Sequence, residues 1–118
     1  MKGLLSIKPL SINAAFQGRR FKTKECNAYC KALSLMLPNG KVESEYYELH
    51  FRFYLKNFAM TDEDNCIKVL QDCMVKKGII SDDRRIIKHV IEKFPSKTDY
   101  VEYEVLPKKL VNDARESQ

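Results

Sequence analysis

The segment DEDNCIKVLQDCMVKKGIISDD, running from Asp62 to Asp83, sets groups that could do chemistry at both ends of one stretch: Asp62, Glu63 and Asp64 with Lys68 at its start, and Asp82 and Asp83 at its close. Two aspartates spaced two apart, with a lysine one helical turn further on, suit a hard divalent cation held beside a phosphate. Their oxygens match Mg²⁺ or Mn²⁺ far better than zinc. An ion held by two or three aspartates, with water positions left open, polarises a phosphodiester and lowers the pKa of the attacking water. Lys68 would then offset the charge that builds up in the transition state. The same residues admit a plainer reading. Aspartate is a favoured N-cap, acids suit the positive end of a helix dipole, and an Asp–Lys pair at i,i+4 is mildly stabilising. Capping needs one carboxylate, however, and Asp62, Glu63 and Asp64 crowd three together.

The element carrying these groups is a predicted helix from about Asp64 to Lys77, closed by Gly78 as a C-terminal cap. On a wheel of about 100° per residue, Lys68 falls roughly 40° from Asp64, while Cys66, Val69, Leu70 and Cys73 cluster on the opposite, core side. Asp64 and Lys68 therefore share the exposed face. Such a helix is about 20 Å long, so a meeting between its start and Ser81-Asp82-Asp83 requires the chain after Gly78 to fold back.

Around this helix the patterning predicts further elements. Leu4–Ile12 is strand-like, limited by Pro9. Residues 13–23, rich in Gly, Arg, Lys and Phe, read as an exposed loop or ragged hairpin. Lys24 to Leu37 recurs at helical steps through Cys26, Tyr29, Cys30 and Leu33, and Pro38-Asn39-Gly40 ends it. Tyr46 to Phe58 alternates, with Leu49, Phe51, Phe53 and Leu55 on one face and Glu48, His50, Arg52 and Lys56 on the other. His50 on that polar face reads as a solvated surface histidine. Ile86–Phe94 and Tyr100–Leu106 read as two more strands joined by the turn Pro95–Asp99. This order predicts an α+β (α/β layer) fold: two helices packed on one small mixed β-sheet. Residues 1–106 form a single expected domain, and 107–118 a polar tail.

Composition narrows the function classes. A chain of 118 residues that is 44% hydrophobic can build one modest core. No apolar run approaches the roughly 18 residues needed to span a bilayer, so the expected location is cytoplasmic, with no membrane partner. The four cysteines sit at helical spacings without a CxxC, which points to buried thiols rather than a disulfide or zinc site. The net charge of +5 is uneven: residues 1–40 hold seven Lys or Arg against one acid, and the remainder is nearly neutral. A concentrated positive field is what a protein approaching a polyanion carries, although it also serves solubility. Neither a Gly-rich phosphate loop nor a Ser-His-Asp arrangement is present, and no small-molecule cofactor is expected.

The pattern Asp62-x-Asp64-Asn65-x-x-Lys68-x-x-x-Asp72, followed by Gly78-x-x-x-Asp82-Asp83, resembles the signature of the RusA family of Holliday junction resolvases, small phage- and prophage-type endonucleases. The N-terminal part is a looser match, through Pro9, Ser11, Asn13 and a basic loop. The resemblance implies a homodimer that binds four-way DNA junctions and makes paired nicks with Mg²⁺, for which Mn²⁺ can substitute. It assigns Asp62, Asp64 and Asp83 as catalytic metal-binding carboxylates and Lys68 as the lysine near the scissile phosphate. Asp82 is the weaker of the terminal pair, and Asn65 and Asp72 take orienting or structural roles. Family members can carry arginines just before the first Asp, where this chain has Lys56-Asn57-Phe58-Ala59-Met60-Thr61. DNA contact is therefore expected from Arg19, Arg20, Lys22 and Lys24, and from Arg84 and Arg85, with Phe16 and Phe21 placed to stack on bases or to anchor the loop. Two other readings stand beside this one: a non-catalytic nucleic-acid-binding or packaging protein, and a nuclease of flaps and forks.

Overall fold

The computed structural model describes residues 1–10, 16–17 and 21–110, with the backbone alone for residues 16, 17, 21, 22, 64 and 65. Its centre is the most strongly alternating segment of the sequence. Strand β4, Tyr46–Leu55, buries every second residue. Tyr47, Leu49, Phe51 and Phe53 are fully enclosed, and each such side chain contributes roughly 1.5–3 kcal/mol of burial.

The other strands are β1 (Lys2–Leu5), β5 (Ile86–Pro95) and β6 (Tyr100–Lys108), in the sheet order β1-β6-β4-β5. β6 runs antiparallel to both β1 and β4, while β5 runs parallel to β4. Parallel neighbours need a crossover connection, and α2 (Asp64–Lys77) supplies it. The return from β5 to β6 passes over the end of β4. There the Ser96 amide donates to the Leu55 carbonyl (3.0 Å) and the Asp99 carboxylate accepts from the Lys56 amide (2.9 Å). The result is an α+β layer fold with a four-stranded mixed sheet, as the order of elements predicts.

Helix α1 (Lys24–Met36) begins where the Thr23 hydroxyl accepts from the Cys26 amide, and it stops before Pro38. Its buried residues Cys26, Tyr29 and Leu33 join Cys66, Leu70 and Met74 of α2 in the same core as the inner face of β4. A short hairpin, β2 (Phe16–Gln17) with β3 (Phe21–Lys22), leads into α1.

Several boundaries differ from the sequence expectation. β1 starts earlier and ends at Leu5, because Met1 exchanges backbone bonds with Val105 and the Ile7 amide turns back onto the Leu5 carbonyl. β4 stops at Leu55 rather than Phe58, because the β5–β6 connection takes the backbone groups at its end; a 3-10 turn follows at Phe58–Met60. β6 extends through Pro107, which pairs with Tyr47, to Lys108. Ile12, Arg19, Arg20 and residues 111–118 of the expected tail lie outside the described residues. No helix among the described residues is long and apolar enough to cross a membrane.

Candidate active site

Glu63 is the N-cap residue of α2, yet its side chain makes no cap bond. Its carboxylate pairs instead with Lys93 of β5 at 3.6 Å. The same ammonium donates to the carbonyls of Phe58 (3.2 Å) and Thr61 (3.0 Å) and lies 4.8 Å from the Phe58 ring centroid. Lys93 thus pins the loop that delivers Asp62 and Asp64. Nothing in the alternation of IIKHVIEKF marks it, because the contact depends on β5 pairing beside β4 with its odd-numbered residues 89, 91 and 93 turned toward α2.

Asp62 is exposed just before the helix, and Asp64 is the first residue of α2. Burial, helped by the charges of Asp62 and Glu63, pushes the neighbouring Cys66 thiol up to about 11. One turn beyond Asp64, Lys68 is half exposed, as the helical wheel requires. Its ammonium lies 3.2 Å from Asp72 Oδ1 and 3.9 Å from Asp83 Oδ2. The chain after Gly78 therefore does fold back, and it reaches Lys68.

Four local features bring Asp83 there. Gly78 takes φ 90°, a left-handed conformation that glycine adopts without strain, and its amide closes the helix onto the Met74 and Val75 carbonyls. Ile79 and Ile80 then bury completely, and the Ile79 carbonyl accepts from the Val42 amide at 3.0 Å. Next, the buried Tyr47 hydroxyl donates to the Val42 carbonyl (2.9 Å) and lies 3.3 Å from Ser81 Oγ, and the Ser81 amide donates to it at 3.4 Å. Finally, Asp82 caps a 3-10 turn at Asp83–Arg85 by accepting from the Arg84 amide at 2.9 Å. From Lys77 back to Lys68 is about 14 Å along the helix, within reach of five nearly extended residues.

This arrangement gives the two terminal aspartates different partners. The Arg84 guanidinium and amide hold the Asp82 carboxyl far below the usual carboxylate range, so its oxygens are committed locally. Asp83 instead faces Lys68 and stays partly open to solvent, 40% exposed. Arg84 and Arg85, expected to meet DNA, are exposed; Arg84 pairs with Asp82 and Arg85 donates to the Glu45 carbonyl. Lys24 is exposed at the start of α1, whereas Arg19 and Arg20 and the side chains of Lys22, Phe16 and Phe21 lie outside the description. Beside Lys68, Ile67, Gln71, His89 and Ile91 line a shallow hollow in which His89 Nε2 sits 2.8 Å from Gln71 Oε1.

The other histidine lies elsewhere. His50 is a half-buried partner of Glu48 on the sheet face opposite the helices, rather than a freely solvated group. Lys108 (3.2 Å) and Lys88 (4.0 Å) complete that network, and together they hold the Glu48 carboxyl below its usual range, the His50 hydrogen bond contributing most.

The hard oxygens of Asp62 and Asp83 fit a divalent cation in kind. Among the described residues, no three His, Cys, Asp or Glu side chains converge as a metal site. Asp64, the third expected donor, enters only by its backbone position at the head of α2.

The fold and this site define a small α+β domain with an acid–lysine cluster between a crossover helix and the strand that follows it. A model of the family described as endodeoxyribonuclease RusA matches residues 15–105, and the chain belongs to that family. RusA proteins are nucleases that act on Holliday junctions. No curated protein matches the chain.

Proposed function

We propose that this protein is a metal-dependent endonuclease that resolves four-way DNA junctions by paired phosphodiester hydrolysis, working in the cytoplasm as a homodimer. The observation that carries this reading is the return of Asp83 to Lys68, one helical turn from Asp64, in a chain of the RusA family. Capping requires no such return.

Asp62, Asp64 and Asp83 would hold Mg²⁺, with Mn²⁺ able to substitute. When bound, the ion supplies polarisation of the phosphodiester and a more acidic attacking water. The remaining work falls to the chain's own residues. Lys68 rests between two carboxylates in contacts long enough to be exchanged, so its ammonium can turn to a phosphate oxygen and offset the developing charge. Lys93 and Glu63 hold the Asp62 loop, and Tyr47 holds the segment that carries Asp83. The basic residues Arg19, Arg20, Lys22, Lys24, Arg84 and Arg85 supply a positive field that draws the polyanion toward the site. Two symmetric nicks require two such sites, which a homodimer provides.

The test is a labelled synthetic four-way junction incubated with the protein and Mg²⁺, beside fork, flap and duplex controls. The wild type should cut the junction in paired nicks, and Asp64→Asn should bind it in a gel shift without cutting. Cleavage by Asp64→Asn would refute the site. Binding without cleavage by the wild type, in either Mg²⁺ or Mn²⁺, would refute the nuclease reading. Equal cutting of all four substrates would refute junction selectivity.

A further inference from the structure

On the side of α2 away from Lys68, two thiols meet that the sequence spacing does not join. Cys30 of α1 and Cys73 of α2 are 43 residues apart, yet their sulfurs are 3.0 Å from one another. That is about 1 Å beyond a bonded S–S length of about 2.05 Å. Cys73 is buried and Cys30 is half-buried. Both open onto a cavity of about 500 Å³ shared with Lys31, Lys76 and Lys77. Lys77 is fixed at its rim by donating to the Ser34 carbonyl of α1.

We propose that Cys30 and Cys73 are a redox modification site, oxidised to an intramolecular disulfide by a small anionic disulfide of the glutathione type. The cavity explains the choice of oxidant, since three lysines around two sulfurs complement the carboxylates of such a molecule. Cys30, the more accessible sulfur, attacks as thiolate on one sulfur of the oxidant and releases the first glutathione thiolate. Cys73 then attacks Cys30 Sγ, forms the Cys30–Cys73 bond and releases the second. Two protein thiols lose two electrons, one glutathione disulfide gains them, and the two protein protons end on the two glutathione sulfurs. The bond ties the helix that follows the basic hairpin to the helix that carries Lys68. It also constrains a long loop in the unfolded chain, which raises the melting temperature by on the order of 10 °C. The reading is independent of nuclease activity.

The experiment treats the full reduced chain with oxidised glutathione, then quenches it for intact mass, peptide mapping and thermal melting. We expect a mass loss of two hydrogens, a single Cys30–Cys73 cross-linked peptide, and a rise in melting temperature that dithiothreitol reverses. Cys73→Ser should stop at a lasting glutathione adduct on Cys30, whereas Cys66→Ala should still form the disulfide. A cross-link through Cys26 or Cys66, a stable glutathione adduct on the wild type, or no change in mass would each overturn the proposal. The wild-type map decides it even if a variant fails to fold.

Discussion

Removing a single oxygen tests whether Tyr47 holds Asp83 in place. In Tyr47→Phe the buried ring keeps its packing and only the hydroxyl is lost. That hydroxyl donates to the Val42 carbonyl at 2.9 Å, receives the Ser81 amide at 3.4 Å, and lies 3.3 Å from Ser81 Oγ. The first bond is strong and the others are long. The loss is therefore one good hydrogen bond plus a partly unsatisfied carbonyl and amide, about 1–3 kcal/mol. A chain of 118 residues unfolds with an entropy of about 0.25 kcal/mol per kelvin, so the melting temperature should fall by roughly 4–12 °C. Calorimetry gives that shift directly. Junction cleavage, measured well below the melting transition, should fall as well, because Ser81 leads into the turn that aims Asp83 at Lys68. A variant that melts within a degree of the wild type and cuts at full rate would refute the positioning argument.

Two further outcomes follow from the same geometry. Lys68→Ala should cut the cleavage rate by roughly 10²-fold while changing stability by less than about 1 kcal/mol, since its ion pairs are solvent-exposed; a stopped-time junction assay beside a thermal melt separates the two, and unimpaired cleavage would remove Lys68 from the mechanism. Glu48 has its carboxyl held below the ordinary value of 4.5 by His50, Lys108 and Lys88, so its contribution to stability is full above that pH and is lost as pH falls through the folded value. Glu48→Gln should flatten the acid limb of a plot of melting temperature against pH below about 4.5, and an unchanged limb would show that this network is not linked to folding.

Much of the architecture was legible one residue at a time. The alternation of Tyr46 to Leu55 gave the central strand because burial of one sheet face acts on every second side chain. The 3.6-residue rhythm of Asp64 to Lys77 placed Cys66, Leu70 and Cys73 inward and Lys68 outward, and Gly78 marked the end. Strand ends were less legible. The last backbone groups of β4 are taken by Ser96 and Asp99, more than forty residues later in the chain, and no local signal at Lys56 announces this. The same holds for Lys93, an unremarkable lysine in an alternating strand until β5 pairs with β4 and turns it toward Glu63.

Sequence by itself determined which groups could do chemistry here: acids at both ends of one helical stretch with a lysine a turn from its start, a basic N-terminal third, and cysteines on helical faces. Those are properties of residue type and local period, and they survive without knowledge of the fold. The tertiary structure alone decided which of them meet. Asp83 reaches Lys68 because Ile79 and Ile80 sink into a core built by distant strands and Tyr47 ties the next residue down. Asp82, its neighbour, is engaged instead by its own cap on Arg84. Cys73 meets Cys30 rather than Cys66 because side chains seven apart on one helix line up along it, whereas packing two helices brings their facing side chains into contact.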